Sequence, residues 1–305
     1  MLLCDTHHRL IDRDAVVEHT ETLLLEMKRE LENRVANLLA VNPVQASHAL
    51  RYAARIGALE SPIAPETVFR DMVPETYPAG WRTIDIELIG SQIADHEPGY
   101  WQVQLDNLRR SLKDQIAGRI ERNEIAHLSV FALAPIPLLI ELGRLLGDKI
   151  PVAIRQLHRN PKTWRWQDDR PLIVFRTVRS DKAGRVVALK LAVSATIEDA
   201  RITAVMGSEV PIWAIQAEGP HNDIMRSARD LAEFGNLAHR VLNGIKAAHG
   251  EDAELHVFPA IPVSAAVEFG RRWMPKADLP VTVWDQNATA GGFIRTIEIR
   301  SEGGM

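Results

Sequence analysis

The sequence predicts an α/β protein with a mainly parallel sheet, divided into two similar halves. Three observations predict it. Strand-like apolar runs alternate with helical patterns along most of the 305 residues, the order that builds βαβ units. One such unit occurs twice. The composition, 46% hydrophobic and 25% charged, is that of an ordinary globular chain with length for about two domains.

The elements follow in order. Residues 1–13 are short and chemically dense, with Cys4, Asp5, His7, His8 and Asp12. The spacing of Val16, Val17, Leu23, Leu24, Met27, Leu31, Val35, Leu38 and Leu39 predicts a helix over 14–40, closed by Pro43. The segment 46–100 is punctuated by Pro62, Pro65, Pro74, Pro78, Gly80, Pro98 and Gly99 and reads as a linker. Within it a short helix is expected at His48–Ile56 and a strand at Thr83–Ile89. A polar helix is expected at 101–123. Strands then fit at 127–133, 151–155, 172–178, 186–194, 210–216, 254–258, 279–284 and 293–299. Helices fit at 136–146, 198–205, 222–249 and 262–273. The two halves are expected at about 101–216 and 217–305.

The duplication is visible at an offset of 127. Val130-Phe131 meets Val257-Phe258, Pro135 meets Pro262, Glu141 meets Glu268, Gly143 meets Gly270 and Arg144 meets Arg271. That makes six identities in fifteen ungapped positions. After two inserted residues, Pro151-Val152 meets Pro280-Val281. Two parallel-sheet halves would bring two sets of strand C-terminal loops together, where open α/β sheets bind ligands. Such a shared pocket suits a pseudo-symmetric ligand.

Composition narrows the function. The net charge of −4 leaves nucleic-acid contact only to a local patch. The single cysteine, Cys4, precludes an internal disulfide framework, as fits a reducing cytosol. No stretch has the length and apolarity of a membrane span, and the start lacks a signal-peptide pattern, so a cytoplasmic protein is expected. Neither a Gly-x-Gly-x-x-Gly fingerprint after a strand nor a phosphate-binding Gly-x-x-x-x-Gly-Lys-Ser/Thr loop occurs, which argues against a dinucleotide-cofactor enzyme or P-loop enzyme. A Gly-x-Ser-x-Gly elbow is also missing.

The segments His127–Arg144 and Leu255–Arg271, followed by Leu279–Asp285, resemble the SAVED domain, a fusion of two CARF-like, Rossmann-like halves. The resemblance implies a sensor of a cyclic oligonucleotide, a cyclic dinucleotide foremost, in bacterial antiphage (CBASS) signalling. Candidate ligand-binding residues follow strand ends. In the first half they are Pro135, Arg155, His158, Arg159, Lys162, Trp164 and Trp166, with Ser194 and Thr196 after a later strand. In the second they are Pro259, Pro262, Trp284 and Asp285. Aromatics can stack on bases and basic groups can pair phosphates. Backbone amides at the turns near Pro135 and Pro262 can favour phosphate. The alternative for each is structural, with the tryptophans covering a core edge and Arg155 in an ion pair.

The string Cys4-x-x-His7-His8-Arg9-x-x-Asp12 looks like the end of an HNH endonuclease motif, the last helix of a ββα-metal fold. That likeness implies a catalytic role for His8 as ligand of a Mg²⁺-like divalent metal. It also implies a Zn²⁺ half-site at Cys4 and His7. The base histidine and central asparagine of that family lie upstream of this string, so 1–45 reads as the C-terminal part of an HNH domain, inactive as it stands. Together the parts resemble an HNH–SAVED effector, in which ligand drives oligomerisation, as a homodimer or larger, and degradation of double-stranded DNA. A cyclic-nucleotide sensor without catalysis is the alternative.

Overall fold

The computed structural model describes residues 5–40, 46–54, 63–88, 97, 99–287 and 289–300. The chain opens on α1 (Asp5–Arg9), which runs into a π-helical turn at Leu10–Asp14. The long helix α2 (Glu21–Ala40) starts later than expected. The Thr20 hydroxyl accepts from the Leu23 amide at 3.3 Å, an N-cap that sets this start. Leu25, Met27, Leu31 and Val35 on α2 stay exposed.

The first half runs β1 (Ala46–Ala54), α3 (Pro65–Met72), β2 (Tyr77–Pro78), β3 (Ile84–Leu88) and α4 (Tyr100–Leu112). A π-helical turn at Lys113–Ala117 joins α4 to α5 (Gly118–Glu121). Then come β4 (Leu128–Leu133), α6 (Ile136–Leu146), β5 (Val152–Ile154) and a hairpin of β6 (His158–Arg159) and β7 (Lys162–Thr163). The sheet order is β3-β1-β4-β5, all parallel, with β2 beside the start of β1.

The second half runs β8 (Phe175–Val178), β9 (Val186–Ala192), α7 (Asp199–Met206), β10 (Ile212–Ala217) and α8 (Ala228–His249). It ends with β11 (Glu254–Ala260), α9 (Val263–Arg272), β12 (Val281–Asn287) and β13 (Gly292–Ile299). Its sheet order is β13-β12-β11-β9-β10-β8. The four inner strands are parallel, and β8 and β13 close the edges antiparallel.

Two expectations are corrected. Of the segment His48–Ile56, expected as a helix, residues 48–54 belong to β1, which lies in the middle of the first sheet between β3 and β4, and 55–56 lie outside the described residues. Ala49 to Ala54 is buried throughout. A parallel strand covered on both faces shows no polar alternation, and its Ala, Leu and Arg content then reads as helix. The halves also divide elsewhere than at 216/217. The first begins at β1, inside the segment read as a linker, while β9 and β10 hydrogen-bond into the sheet of β11.

The duplication therefore extends well beyond the stretch seen in sequence. Orders β3-β1-β4-β5 and β10-β9-β11-β12 correspond strand for strand. Arg51 lies opposite Phe131 as Lys190 lies opposite Phe258. Both cations are buried and paired, Arg51 with Asp85 at 2.6 Å and Lys190 with Asp199.

The repeated Glu-x-Gly-Arg motif proves to be a helix crossing. Gly143 of α6 and Gly270 of α9 lie at the point where the two helices meet. A Cβ on Gly143 would overlap the Val267 carbonyl and lie 2.9 Å from the Arg271 amide nitrogen. One on Gly270 would overlap the Ile140 carbonyl. Glu141, wholly buried, pairs with Arg109 at 2.7 Å and Arg144 at 2.6 Å. Its counterpart Glu268 pairs with Arg272 at 2.6 Å. The helices on the inner faces of both sheets share one continuous core, with smaller clusters under α3 and α7.

Candidate functional site

This arrangement sets the C-terminal strand ends of the two sheets across a common cleft of about 470 Å³. Leu133 ends β4, and Gln156 and Leu157 follow β5. His158, Arg159 and Lys162 come from the β6–β7 hairpin. The second half contributes Ser194 after β9, Asn222 after β10, and Ile261, Pro262 and Val263 at the β11–α9 turn. Among the described residues the lining holds two side-chain cations, several hydrogen-bonding groups and no carboxylate. An anionic, partly apolar ligand matches that chemistry.

Two contacts hold the cleft across the halves. The Gln156 side-chain oxygen accepts from the Ser264 amide at 3.1 Å and from its hydroxyl at 2.7 Å. The β6–β7 hairpin docks on the loop after β10, where the Arg159 amide donates to Asp223 Oδ2 at 3.3 Å. Arg226 pairs with Asp223 and donates to the Asn160 carbonyl at 3.0 Å.

Of the residues singled out in the sequence, His158, Arg159, Lys162, Ser194 and Pro262 line this cleft. Pro135 and Pro262 N-cap α6 and α9. Their turns offer less to a phosphate than expected. Pro137 lacks an N–H in the first turn of α6, and Gln156 already takes the Ser264 amide of α9. Thr196 is exposed in the loop after β9. Pro259 is buried within β11.

The expected stacking platforms are absent from the cleft wall. Trp164 keeps 2% exposure, meets Phe131 edge-on and donates its backbone N–H to Asp71 at 2.8 Å. Trp166 packs against the shared core and edge-on to His158. Trp284 stacks on Phe258 and donates to His256 Nδ1 at 3.0 Å. Asp285 accepts from the Gln286 amide beyond that ring. Arg155 is also internal, with 1% exposure and a 2.5 Å pair with Glu75. Burial pushes its guanidinium down, and Glu75 and Asp71 pull it back. Large aromatics and a lone arginine after strand ends read as ligand groups in sequence, and here they are packed inward, Trp164 and Trp284 under α3 and α7 and Trp166 on the shared core.

Sequence reasoning missed Leu133, Gln156, Leu157, Asn222, Ile261 and Val263. No motif marks them. The only signal was their position after strand ends.

At the N-terminus, His8 Nδ1 pairs with Asp12 Oδ2 at 2.7 Å on an exposed helical turn. Cys4 lies outside the described residues. Among the described residues no group of three or more His, Cys, Asp or Glu side chains could hold a metal. Of the expected ligands only His7 and His8 are described, and by themselves they make no site for a zinc or magnesium-like ion. Among the same residues no helix is long and apolar enough to cross a membrane.

Residues 108–299 match the family described as SAVED, "SMODS-associated and fused to various effectors sensor domain". This chain belongs to the SAVED family. Among solved structures, it is similar to an Acinetobacter baumannii Cap4 SAVED/CARF-domain containing receptor in a complex with the cyclic trinucleotide 3′3′3′-cAAA. The TM-score is 0.52 at 12% identity, over 85% of this chain and 52% of that one. It is similar also to a Moraxella osloensis Cap4 SAVED/CARF-domain containing receptor, at TM-score 0.52 and 13% identity, over 84% of this chain and 50% of that one. This chain thus spans about half the length of those receptors. Among curated proteins no match was found. The likeness places the two-sheet architecture among SAVED/CARF folds.

Proposed function

We propose that this chain is the sensor part of an antiphage (CBASS) effector and that a cyclic oligonucleotide binds in the cleft between its two halves. The observation that carries the reading is the lining itself. It is built from the strand C-terminal ends of both sheets, with Arg159 and Lys162 on its rim and, among the described residues, no carboxylate. Phosphodiesters would meet those cations and the polar groups of Gln156, Ser194 and Asn222. With every tryptophan of the sequence candidates packed elsewhere, bases would rest on Leu133, Leu157, Ile261 and Val263 rather than on aromatic rings. The cyclic trinucleotide in the Acinetobacter receptor supports the ligand class.

The effector side rests on the resemblance of Cys4–Asp12 to an HNH terminus. In that reading ligand binding favours an assembled state, a homodimer or larger, and licenses cleavage of double-stranded DNA by a complete nuclease domain. A ligand achieves this only by binding the active state more tightly than the resting one. Calorimetric titration with cyclic di- and trinucleotides, with light scattering on the same samples, tests the sensor. Submicromolar binding is expected, and no binding across the panel overturns it. Ligand-dependent cutting of duplex DNA, lost in His8→Ala, tests the nuclease. Binding without cutting leaves a sensor module alone.

A further inference from the structure

Three buried polar atoms beside the cleft make no hydrogen bond of good geometry among the described residues: His158 Nδ1, His158 Nε2 and Asp223 Oδ1. Such orphans are rare in folded proteins, and a group of them in one place asks for a cause. The His158 side chain is wholly buried, although the residue contributes to the cleft wall. Its Nδ1 stands 3.7 Å from Asp223 Oδ1, too far for a hydrogen bond. A closure of under about 1 Å would satisfy both. The pair also sits at a mechanical junction. His158 starts the hairpin that carries Arg159 and Lys162, and Asp223 belongs to the loop of the other half on which that hairpin docks.

We propose that an anionic ligand in the cleft draws a proton onto His158, and that the charged ring then closes on Asp223 to clamp the hairpin against the second half. The inference rests on the cleft being the ligand site. The groups facing His158 decide the direction. Burial and the Arg226 guanidinium hold the ring below its ordinary range, while Asp223 and the Arg165 backbone favour the charged form. The free protein therefore keeps His158 neutral near neutral pH. Phosphodiester charge at the wall acts in the opposite sense to Arg226, and the proton it recruits comes from solvent. The proton turns an orphaned nitrogen and an orphaned oxygen into an ion pair. Ligand arrival and inter-half contact thereby become one event.

Phosphodiesters keep one negative charge each across the range in which histidine titrates, so proton uptake reports the protein. The experiment is calorimetry of the full chain with 3′3′3′-cyclic tri-AMP, cyclic di-AMP and cyclic di-GMP. Each is run near pH 7 in two buffers of unlike ionisation enthalpy. Uptake of a substantial fraction of one proton is expected for the compound that binds, and its Kd should rise with pH by up to about tenfold per unit. His158→Gln should bind with no uptake and a flat pH profile, whereas His239→Gln, exposed on α8 and outside the cleft lining, should keep the wild-type slope. Binding by the wild type without proton uptake would overturn the inference and leave the sensor reading standing. Uptake that persists in His158→Gln would do the same. A panel with no binder overturns both. The wild-type buffer comparison decides the matter even if His158→Gln fails to fold.

Discussion

Replacing Gly143 with alanine separates local propensity from tertiary packing, because the two predict opposite signs. In mid-helix, alanine is favoured over glycine by about 1 kcal/mol. At Gly143 the added Cβ would overlap the Val267 carbonyl oxygen of α9 and crowd the Arg271 amide. Backbone atoms are the obstacle, so no side chain can swing away. The helices would have to part by roughly an ångström, loosening contacts on both sides of the crossing. Overpacking of this kind costs roughly 1–3 kcal/mol, and more where backbone must move. We expect a net loss of about 2 kcal/mol or more, or a fall in Tm of roughly 5 °C or more for a chain of this size. Gly118→Ala is the control, since its Cβ meets only the flexible Arg122 guanidinium, at 3.2 Å. It should stabilise by up to about 1 kcal/mol. Urea unfolding of both variants reads the difference. If Gly143→Ala stabilises the protein as Gly118→Ala does, the account of the repeated glycine as a helix-crossing device is refuted.

Further outcomes follow from the same geometry. Arg159→Ala and Lys162→Ala should each weaken cyclic-oligonucleotide binding about tenfold, the loss of one charge-assisted contact, with Tm unchanged. Trp164→Ala should instead cost about 3–5 kcal/mol of stability by emptying the space beside Phe131, measured by urea unfolding. Glu141→Ala should destabilise by about 3–5 kcal/mol, since it leaves the nearly buried Arg144 without its carboxylate. His48, His127, His158 and His256 are all held below the ordinary histidine range, chiefly by burial. Below about pH 6.5 the unfolded chain therefore binds more protons than the folded one, and stability should fall as pH drops from 7 toward 6. A Tm that rises over that window would contradict these assignments.

The sequence by itself determined a good deal of this fold. Hydrophobic periodicity located the later strands and helices to within a few residues, because each such element buries one face or is covered on both. The offset between Val130-Phe131 and Val257-Phe258 exposed the duplication, since equal helix crossings demand the same Glu, Gly and Arg in both halves. Tertiary structure decided the rest. Strand β1 looked helical because its burial comes from β3 and β4 on either side and from helices above and below, none of which is local. The cleft was equally illegible. Whether Lys162 faces a ligand while Arg155 turns inward to Glu75 depends on how a hairpin docks on a loop far along the chain. Gln156 meets Ser264 from 108 residues away, and Arg159 meets Asp223 from 64. Periodicity reports which face of an element is covered, whereas a cleft between two sheets is set by how those covered faces pack together.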